Sequence, residues 1–286
     1  MTLRDILLET SQAAGLSVEK APELEYVVAE GWKWTRSELL LHLNDPVDEG
    51  LLPATFQAAQ QLAQGYPAEY IVGSAAFRDI VLHIENGVLV PRPETEELVQ
   101  MALDSLRRYE LRSPTVLDIC SGSGAIALSI AMAVPDATVT GLENDATSVV
   151  CSRQSAQDMG VSARVRFVQT NVLASWLPAL DGMRNPVDMI VSNPPYVRLD
   201  RLAQAHASSP QEPIQALYGG VSGLLFYRRI IAQAQEWLKS GGFLLLEIDD
   251  GLEGDILELC KQNGFQDGRW LPDLRGLPRY VEARRV

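Results

Sequence analysis

Basic residues are scarce in this chain: 24 Lys and Arg against 37 Asp and Glu in 286 residues, a formal charge of −13. Such a surface carries no electrostatic footprint for bare nucleic acid or anionic lipid, so direct binding to either is not expected. Cysteine is equally thin. Cys120, Cys151 and Cys260 form no Cys-x-x-Cys pair and leave an odd count, which gives no zinc pattern and suits a reducing compartment. His42, His83 and His206 are too few and too scattered for a metal cluster. The longest apolar run, Ala125 to Val134, is too short to span a bilayer. Met1 to Glu9 carries Asp5 and Glu9 in place of a signal-peptide pattern. Internal repeats and low-complexity segments are missing too. A cytoplasmic protein without a metal is expected.

What remains is ample core material. With 47% hydrophobic and 21% charged residues, the chain can fill one large α/β domain and a smaller partner. Residues 1–72 read as a helical bundle: Leu3, Ile6 and Leu7, then Leu24, Val27 and Val28, then Phe56, Ala59, Leu62 and Ala63 recur at helical spacing. Trp32 and Trp34 read as packing residues. Residues 73–92 switch to β periodicity, with Phe77, Ile80, Leu82 and Ile84 followed by Glu85-Asn86-Gly87 and Val88-Leu89-Val90. Asn-Gly between apolar runs predicts a β-hairpin linker that turns there. From residue 93 to 286 strands and helices alternate, beginning with a helix that runs to Arg107. Strands are expected at 115–119, 137–142, 165–169, 187–192 and 243–248, with Gly241-Gly242 stopping the helix before the last of these. Residues 266–271 and 279–283 are expected to close the sheet as an antiparallel edge pair, and 198–211 to be irregular. This rhythm predicts a doubly wound, mostly parallel sheet.

Two stretches of that domain carry chemistry. The turn Cys120-Ser121-Gly122-Ser123-Gly124 joins the strand Thr115–Ile119 to a helix, where glycine lets the backbone approach a ligand and the helix N-terminus adds partial positive charge. Glu143, at the end of the next strand, can accept both hydroxyls of a ribose. The pattern also satisfies the dinucleotide fingerprint. Two features point instead to S-adenosylmethionine: Asp118 lies just before the turn, and Asn193-Pro194-Pro195-Tyr196 ends the fourth strand. Consecutive prolines stop a strand and hold the backbone extended. They present the Asn193 amide, the Pro194 carbonyl and the Tyr196 ring at the sheet edge where open α/β folds bind ligands. That set of groups suits gripping a planar NH2.

These stretches closely resemble the PrmC/HemK family of peptide chain release factor glutamine methyltransferases. The resemblance covers essentially the whole chain. It is carried by Tyr70-Ile71-Val72-Gly73 with Phe77, Val90-Pro91-Arg92-Pro93-Glu94-Thr95-Glu96, Val116 to Gly124, Ser192 to Tyr196, Glu212-Pro213 with Ala216-Leu217, and Leu246-Glu247-Ile248. It implies a Rossmann-like class I fold with a seven-stranded, mostly parallel sheet, S-adenosyl-L-methionine as methyl donor and S-adenosyl-L-homocysteine as product. The implied substrate is the Gly-Gly-Gln glutamine of class-1 release factors, methylated on its side-chain nitrogen; a monomer is expected, and the acidic charge argues against contact with nucleic acid. The residues implied are Asn193, Pro194, Pro195 and Tyr196 for catalysis and substrate, with Phe77, Arg92 and Thr95 as pocket wall. For the cofactor they are Asp118, Cys120, Ser121, Gly122, Ser123, Gly124, Glu143, Asn171, Val172 and Asn193. The chain departs from the family at Cys120-Ser121, Glu143, Asn171, Ser222 and Asp249, positions that bear on cofactor affinity more than on reaction type. A glutamine methyltransferase acting on a large-subunit ribosomal protein, an adenine amino-group methyltransferase acting on DNA or RNA, a cofactor-binding module without turnover and a nicotinamide dehydrogenase are the alternatives.

Overall fold

The computed structural model describes residues 1–180 and 186–286. Five helices open the chain: α1 (Leu3–Ala14), α2 (Ala21–Gly31), α3 (Arg36–Leu41), α4 (Leu52–Ala63) and α5 (Ala68–Val72). Thr2 with Asp5, and Thr35 with Glu38, form reciprocal capping boxes at the starts of α1 and α3. Gly15 and Gly73, both left-handed, end α1 and α5. Leu3, Leu7, Leu24, Leu39, Ala59 and Leu62 fill a core of their own, with Trp32 and Trp34 packed against it.

A two-stranded hairpin follows, β1 (Ser74–Phe77) and β2 (Ile80–His83), paired antiparallel from Ser74↔His83 to Phe77↔Ile80. It turns at Arg78-Asp79, not at Asn86-Gly87 as the sequence suggests. Arg78 takes the left-handed φ of 50° because tertiary bonds hold it. Its N–H donates to Glu96 Oε1 at 3.1 Å and its guanidinium to the Glu96 carbonyl and Gln100. Asn86-Gly87 still makes a turn, with Val88 N–H donating to the Glu85 carbonyl, but no strand follows it. Ala75, Phe77, Ile80 and Leu82 bury their shared face in the core of the larger domain.

That domain comprises α6 (Pro93–Arg108), β3 (Thr115–Ile119), α7 (Ala125–Ala133), β4 (Thr138–Glu143), α8 (Ala146–Asp158), β5 (Val165–Gln169), β6 (Val187–Ser192), α9 (Leu199–Ser208), α10 (Leu225–Trp237), β7 (Leu238–Glu247), α11 (Glu253–Gln262), β8 (Phe265–Pro272) and β9 (Pro278–Arg285). The seven-stranded sheet has the order β5-β4-β3-β6-β7-β9-β8. β3 to β7 run parallel, and β9 is antiparallel to both its neighbours. The expected doubly wound, mostly parallel architecture is therefore present. Both faces are covered: Val116, Met189, Val191 and Leu245 point into one core layer, Leu117, Ile190, Leu244 and Leu246 into the other.

Two further expectations are corrected. Residues 199–208 form a helix, with Leu199, Leu202 and Ala203 at helical spacing, although none of its residues is buried. Gly241-Gly242 does not end α10 but lies inside β7, where the register with β6 shifts between Val187 and Met189 and Gly241 takes a φ of 77°. The strands expected as an edge pair are paired, with β9 on the inner side and β8 at the edge. The strand order reverses between β3 and β6, and the crevice at their carboxyl ends is where such sheets bind ligands.

Candidate active site

Asn193 to Tyr196 leave the carboxyl end of β6 at that reversal, beside the Cys120–Gly124 turn that leaves β3, since Ile119 pairs with Ser192 across the two strands. Asn193 is half-buried and its Nδ2 donates to Thr95 Oγ1 at 2.9 Å. Thr95 in turn donates to Glu247 Oε2 at 2.8 Å, a bond between two buried side chains. Asn193 Oδ1 and the Pro194 carbonyl accept no hydrogen bond from the described residues, so two neighbouring acceptors stay unengaged. Tyr196 OH reaches Glu247 Oε1 at a long 3.4 Å, and burial raises its pKa.

The tetrapeptide is held from behind. Val197 N–H donates to the Leu217 carbonyl at 2.8 Å and Gly219 N–H to the Val197 carbonyl at 2.9 Å. A Cβ on Gly219 would lie 2.6 Å from the Tyr196 Cα, so only glycine permits this backbone-on-backbone approach.

On the β3 side, Asp118 is fully buried. Its Oδ2 accepts the Ala127 N–H of α7 at 3.1 Å, while Oδ1 has no partner among the described residues. Burial pushes its carboxyl up to about 8, against the Ala127 bond. The carboxyl group thus orders the helix start with one oxygen and keeps the other uncommitted. Ser121 Oγ is likewise buried without a partner, and Ser123 is buried beside it. Glu143 braces the turn: Oε2 accepts the Gly122 N–H at 2.8 Å, and Oε1 the N–H groups of Asn144 and Asp145 at 2.7 and 2.9 Å. Burial raises the Glu143 pKa, and these three backbone donors oppose it. A Cβ on Gly122 would meet nothing within 4 Å, whereas one on Gly124 would strike the Phe167 ring at 2.7 Å. Gly122 faces open space and Gly124 is packed.

Cys120 occupies a left-handed φ of 60°, a conformation glycine adopts without cost. Its thiol, pushed well up by burial, is too protonated to act as a nucleophile. Asn171 is exposed, its Oδ1 accepting the Leu173 N–H at 3.0 Å, whereas the Val172 side chain is in the core. Of the two, Asn171 offers a side chain to a ligand and Val172 offers backbone.

Of the pocket-wall residues, Phe77 lies on β1, Arg92 caps α6 and Thr95 is in its first turn. Phe77 and Arg92 border a cleft of about 620 Å³ between the helical bundle and the sheet domain, together with Tyr26, Tyr66, Glu96 and Glu212. The Arg92 guanidinium is paired with the buried Glu212 carboxylate, whose other oxygen accepts the Val90 N–H at 3.1 Å. Thr95 lies beneath Asn193 instead of in the cleft wall.

Glu247 and Glu212 are functional candidates that residue-by-residue reading misses. Both stand in stretches that carry the family resemblance, yet an acid inside the apolar run Phe243–Ile248 gives no sign of a partner 152 residues away. Glu247 is 1% exposed, and burial pushes its carboxyl up to about 7, opposed by the Thr95 bond and Arg279.

A model of the methyltransferase small domain matches residues 97–208, and a model of the PrmC N-terminal domain matches residues 12–73. A methyltransferase from Pyrococcus furiosus shares the fold, with a TM-score of 0.51 at 18% identity over 71% of this chain and 87% of that one. Fold and site together are those of a class I methyltransferase. The chain is 33% identical to the release factor glutamine methyltransferase of Moorella thermoacetica, over 100% of this chain and 99% of the relative. It is 32% identical to that of Deinococcus radiodurans over the same shares. The chain belongs to the release factor glutamine methyltransferase family.

Proposed function

We propose that this enzyme transfers a methyl group from S-adenosylmethionine to the side-chain nitrogen of the glutamine in the Gly-Gly-Gln loop of class-1 peptide chain release factors. The observation that carries the reading is the pair of unengaged acceptors, Asn193 Oδ1 and the Pro194 carbonyl, at the strand-order reversal and beside the braced glycine turn.

When bound, S-adenosylmethionine supplies a methyl group on a positively charged sulfur. The residues present fit such a group. Asp118 Oδ1 and Ser121 Oγ are buried polar atoms without partners among the described residues, and Gly122 has nothing across from it. Asp118 would hold the amino group and the Cys120–Gly124 backbone the methionine part, with Glu143 at the ribose and Asn171 with the Val172 backbone at the adenine.

A carboxamide nitrogen is a poor nucleophile because its lone pair is delocalised into the carbonyl. Asn193 Oδ1 and the Pro194 carbonyl accept its two N–H bonds, which orients the nitrogen and sets two fixed dipoles against the positive charge that develops there. Tyr196 packs on the amide plane and excludes water. No side-chain base is required, since the nitrogen releases its extra proton after the bond has formed. The cleft beside Phe77 and Arg92 admits the loop that carries the glutamine. The enzyme acts as a monomer in the cytoplasm, on a protein partner and not on nucleic acid. Among the described residues no helix is long and apolar enough to cross a membrane.

Incubating the protein with S-adenosylmethionine and a class-1 release factor, then weighing the Gly-Gly-Gln peptide, tests the reading. One added methyl on that glutamine is expected. Its absence, with S-adenosylmethionine still bound, overturns the substrate assignment.

A further inference from the structure

The geometry points to Glu247 as a positioning residue that acts through Thr95 to fix which end of the Asn193 amide faces the substrate. The inference rests on the acceptor role given to Asn193 above. An asparagine amide is nearly symmetric in shape but not in chemistry. Turned one way, Asn193 offers an oxygen to the substrate NH2; flipped, it offers an NH2 to an NH2 and repels it. Something in the protein has to choose.

Thr95 alone does not choose, since a hydroxyl both donates and accepts. The choice is made one bond further back. Glu247 Oε2 takes the Thr95 hydroxyl proton at 2.8 Å. An ionised carboxylate only accepts, so Thr95 Oγ1 is left with lone pairs alone to show Asn193. Nδ2 then fits at 2.9 Å and Oδ1 does not. The direction of the whole chain is set at Glu247, and the oxygen is turned towards the acceptor crevice as a result. Three segments far apart in sequence are spent on this: α6 supplies Thr95, β6 leads into Asn193 and β7 ends in Glu247. Glu247 is itself anchored, its main-chain carbonyl accepting the Tyr227 hydroxyl at 2.8 Å.

Protonation of Glu247 reverses the logic. A carboxylic acid donates to Thr95 Oγ1, freeing the hydroxyl proton for Asn193 and favouring the flipped amide. The groups that face Glu247 are Thr95 and Glu94 from α6, Tyr196 from the loop after β6, Tyr227 from α10, and Arg279 and Tyr280 from β9, with Asp249 just past the end of β7. Arg279 favours the ionised form and Glu94 opposes it. Burial outweighs both, bringing the carboxyl up to about 7, so the relay is set within the range of an ordinary assay.

The test uses the full-length protein with two readouts. In the first, the Asn193 side-chain amide is followed by 15N NMR without cofactor or substrate, assigned by its loss in Asn193→Asp. It should show one orientation and slow exchange at about pH 8, and Thr95→Val should speed that exchange about tenfold or more. In the second, kcat and KM are measured on the release factor. Thr95→Val should lower kcat about 10- to 100-fold, the worth of one buried hydrogen bond, with KM for S-adenosylmethionine within about twofold. Thr95→Ser, which keeps the hydroxyl, should recover most of the loss. Wild-type kcat should rise from about pH 6 to about pH 8, and Glu247→Gln, which keeps the shape without the titration, should abolish that rise. Unchanged amide exchange in Thr95→Val, or a pH rise surviving in Glu247→Gln, overturns the relay. A wild-type enzyme that methylates no release factor overturns the function instead, and the NMR readout still decides the relay.

Discussion

The Asn193–Tyr196 loop is pinned from three distant segments, by Thr95 on α6, Glu247 on β7 and the backbone around Gly219. The Cys120–Gly124 turn is held by its neighbours in the sheet, Glu143 and Asp118, and keeps two buried polar atoms unpaired. The first region is held in place by these bonds, with Asn193 Oδ1 and the Pro194 carbonyl left open. The second holds polar capacity in reserve, which the proposed cofactor would complete. The difference matches what each half has to do. A reacting nitrogen is aimed by preorganised dipoles, whereas a large flexible cofactor is bound by groups that gain their partners on association. Changes on the acceptor side should therefore cost rate, and changes on the donor side should cost affinity and alter stability.

The largest expected effect breaks the acceptor side outright. Asn193→Ala should lose roughly 2–4 kcal/mol of transition-state stabilisation, read as kcat on the release factor, while calorimetry shows S-adenosylmethionine binding little changed. If binding and rate collapse together, the two halves are not separable. Gly219→Ala sharpens the same side without touching a reacting group. Its Cβ would come within 2.6 Å of the Tyr196 backbone, so it should cost about 1–3 kcal/mol in thermal unfolding together with a fall in kcat.

On the donor side, Asp118→Asn should weaken S-adenosylmethionine and change the pH dependence of stability. Asp118 holds its proton up to about 8 when folded, well above its ordinary 3.8. Between those values the folded state binds a proton that the unfolded state has released, so this group makes the protein less stable as pH rises. Denaturation of wild type and Asp118→Asn across that window should show the mutant gaining relative to wild type towards high pH, on the order of a few kcal/mol. Parallel curves would mean that Asp118 is ionised throughout. The smallest effect is expected from Cys120→Gly. Relief of the left-handed φ of 60° should stabilise by about 1 kcal/mol or less, the thiol's lost packing offsetting part of the gain. A clear drop in melting temperature would show that the thiol contributes more than the strain costs.

Much of the fold was legible because its signals are local. The strands at 115–119 and 187–192 are apolar runs that lead into a glycine turn and a proline pair, and both functional stretches are recognisable from four or five consecutive residues. What sequence reading misplaced was decided elsewhere in the molecule. The hairpin turns at Arg78 because Glu96 and Gln100 hold that residue left-handed, which outweighs the local preference of Asn86-Gly87. α9 buries none of its residues, so tertiary packing gives it little reinforcement, and its short run of Leu199, Leu202 and Ala203 reads as an irregular segment. Glu247 looks like a misplaced charge in a buried strand until Thr95 is brought against it by the packing of α6 on the sheet.

The pairing of Ile119 with Ser192 has a consequence for how this enzyme can vary. Adjacent strands are spaced about 4.8 Å apart by their hydrogen bonds, and the donor and acceptor loops are the direct continuations of two such strands. In the proposed reaction the spacing of the two loops at their base is therefore set by the backbone ladder, a ruler that side-chain substitution does not recalibrate. On that proposal, loops, the helical bundle and the cleft walls can change while the ruler keeps the spacing of the two loops constant.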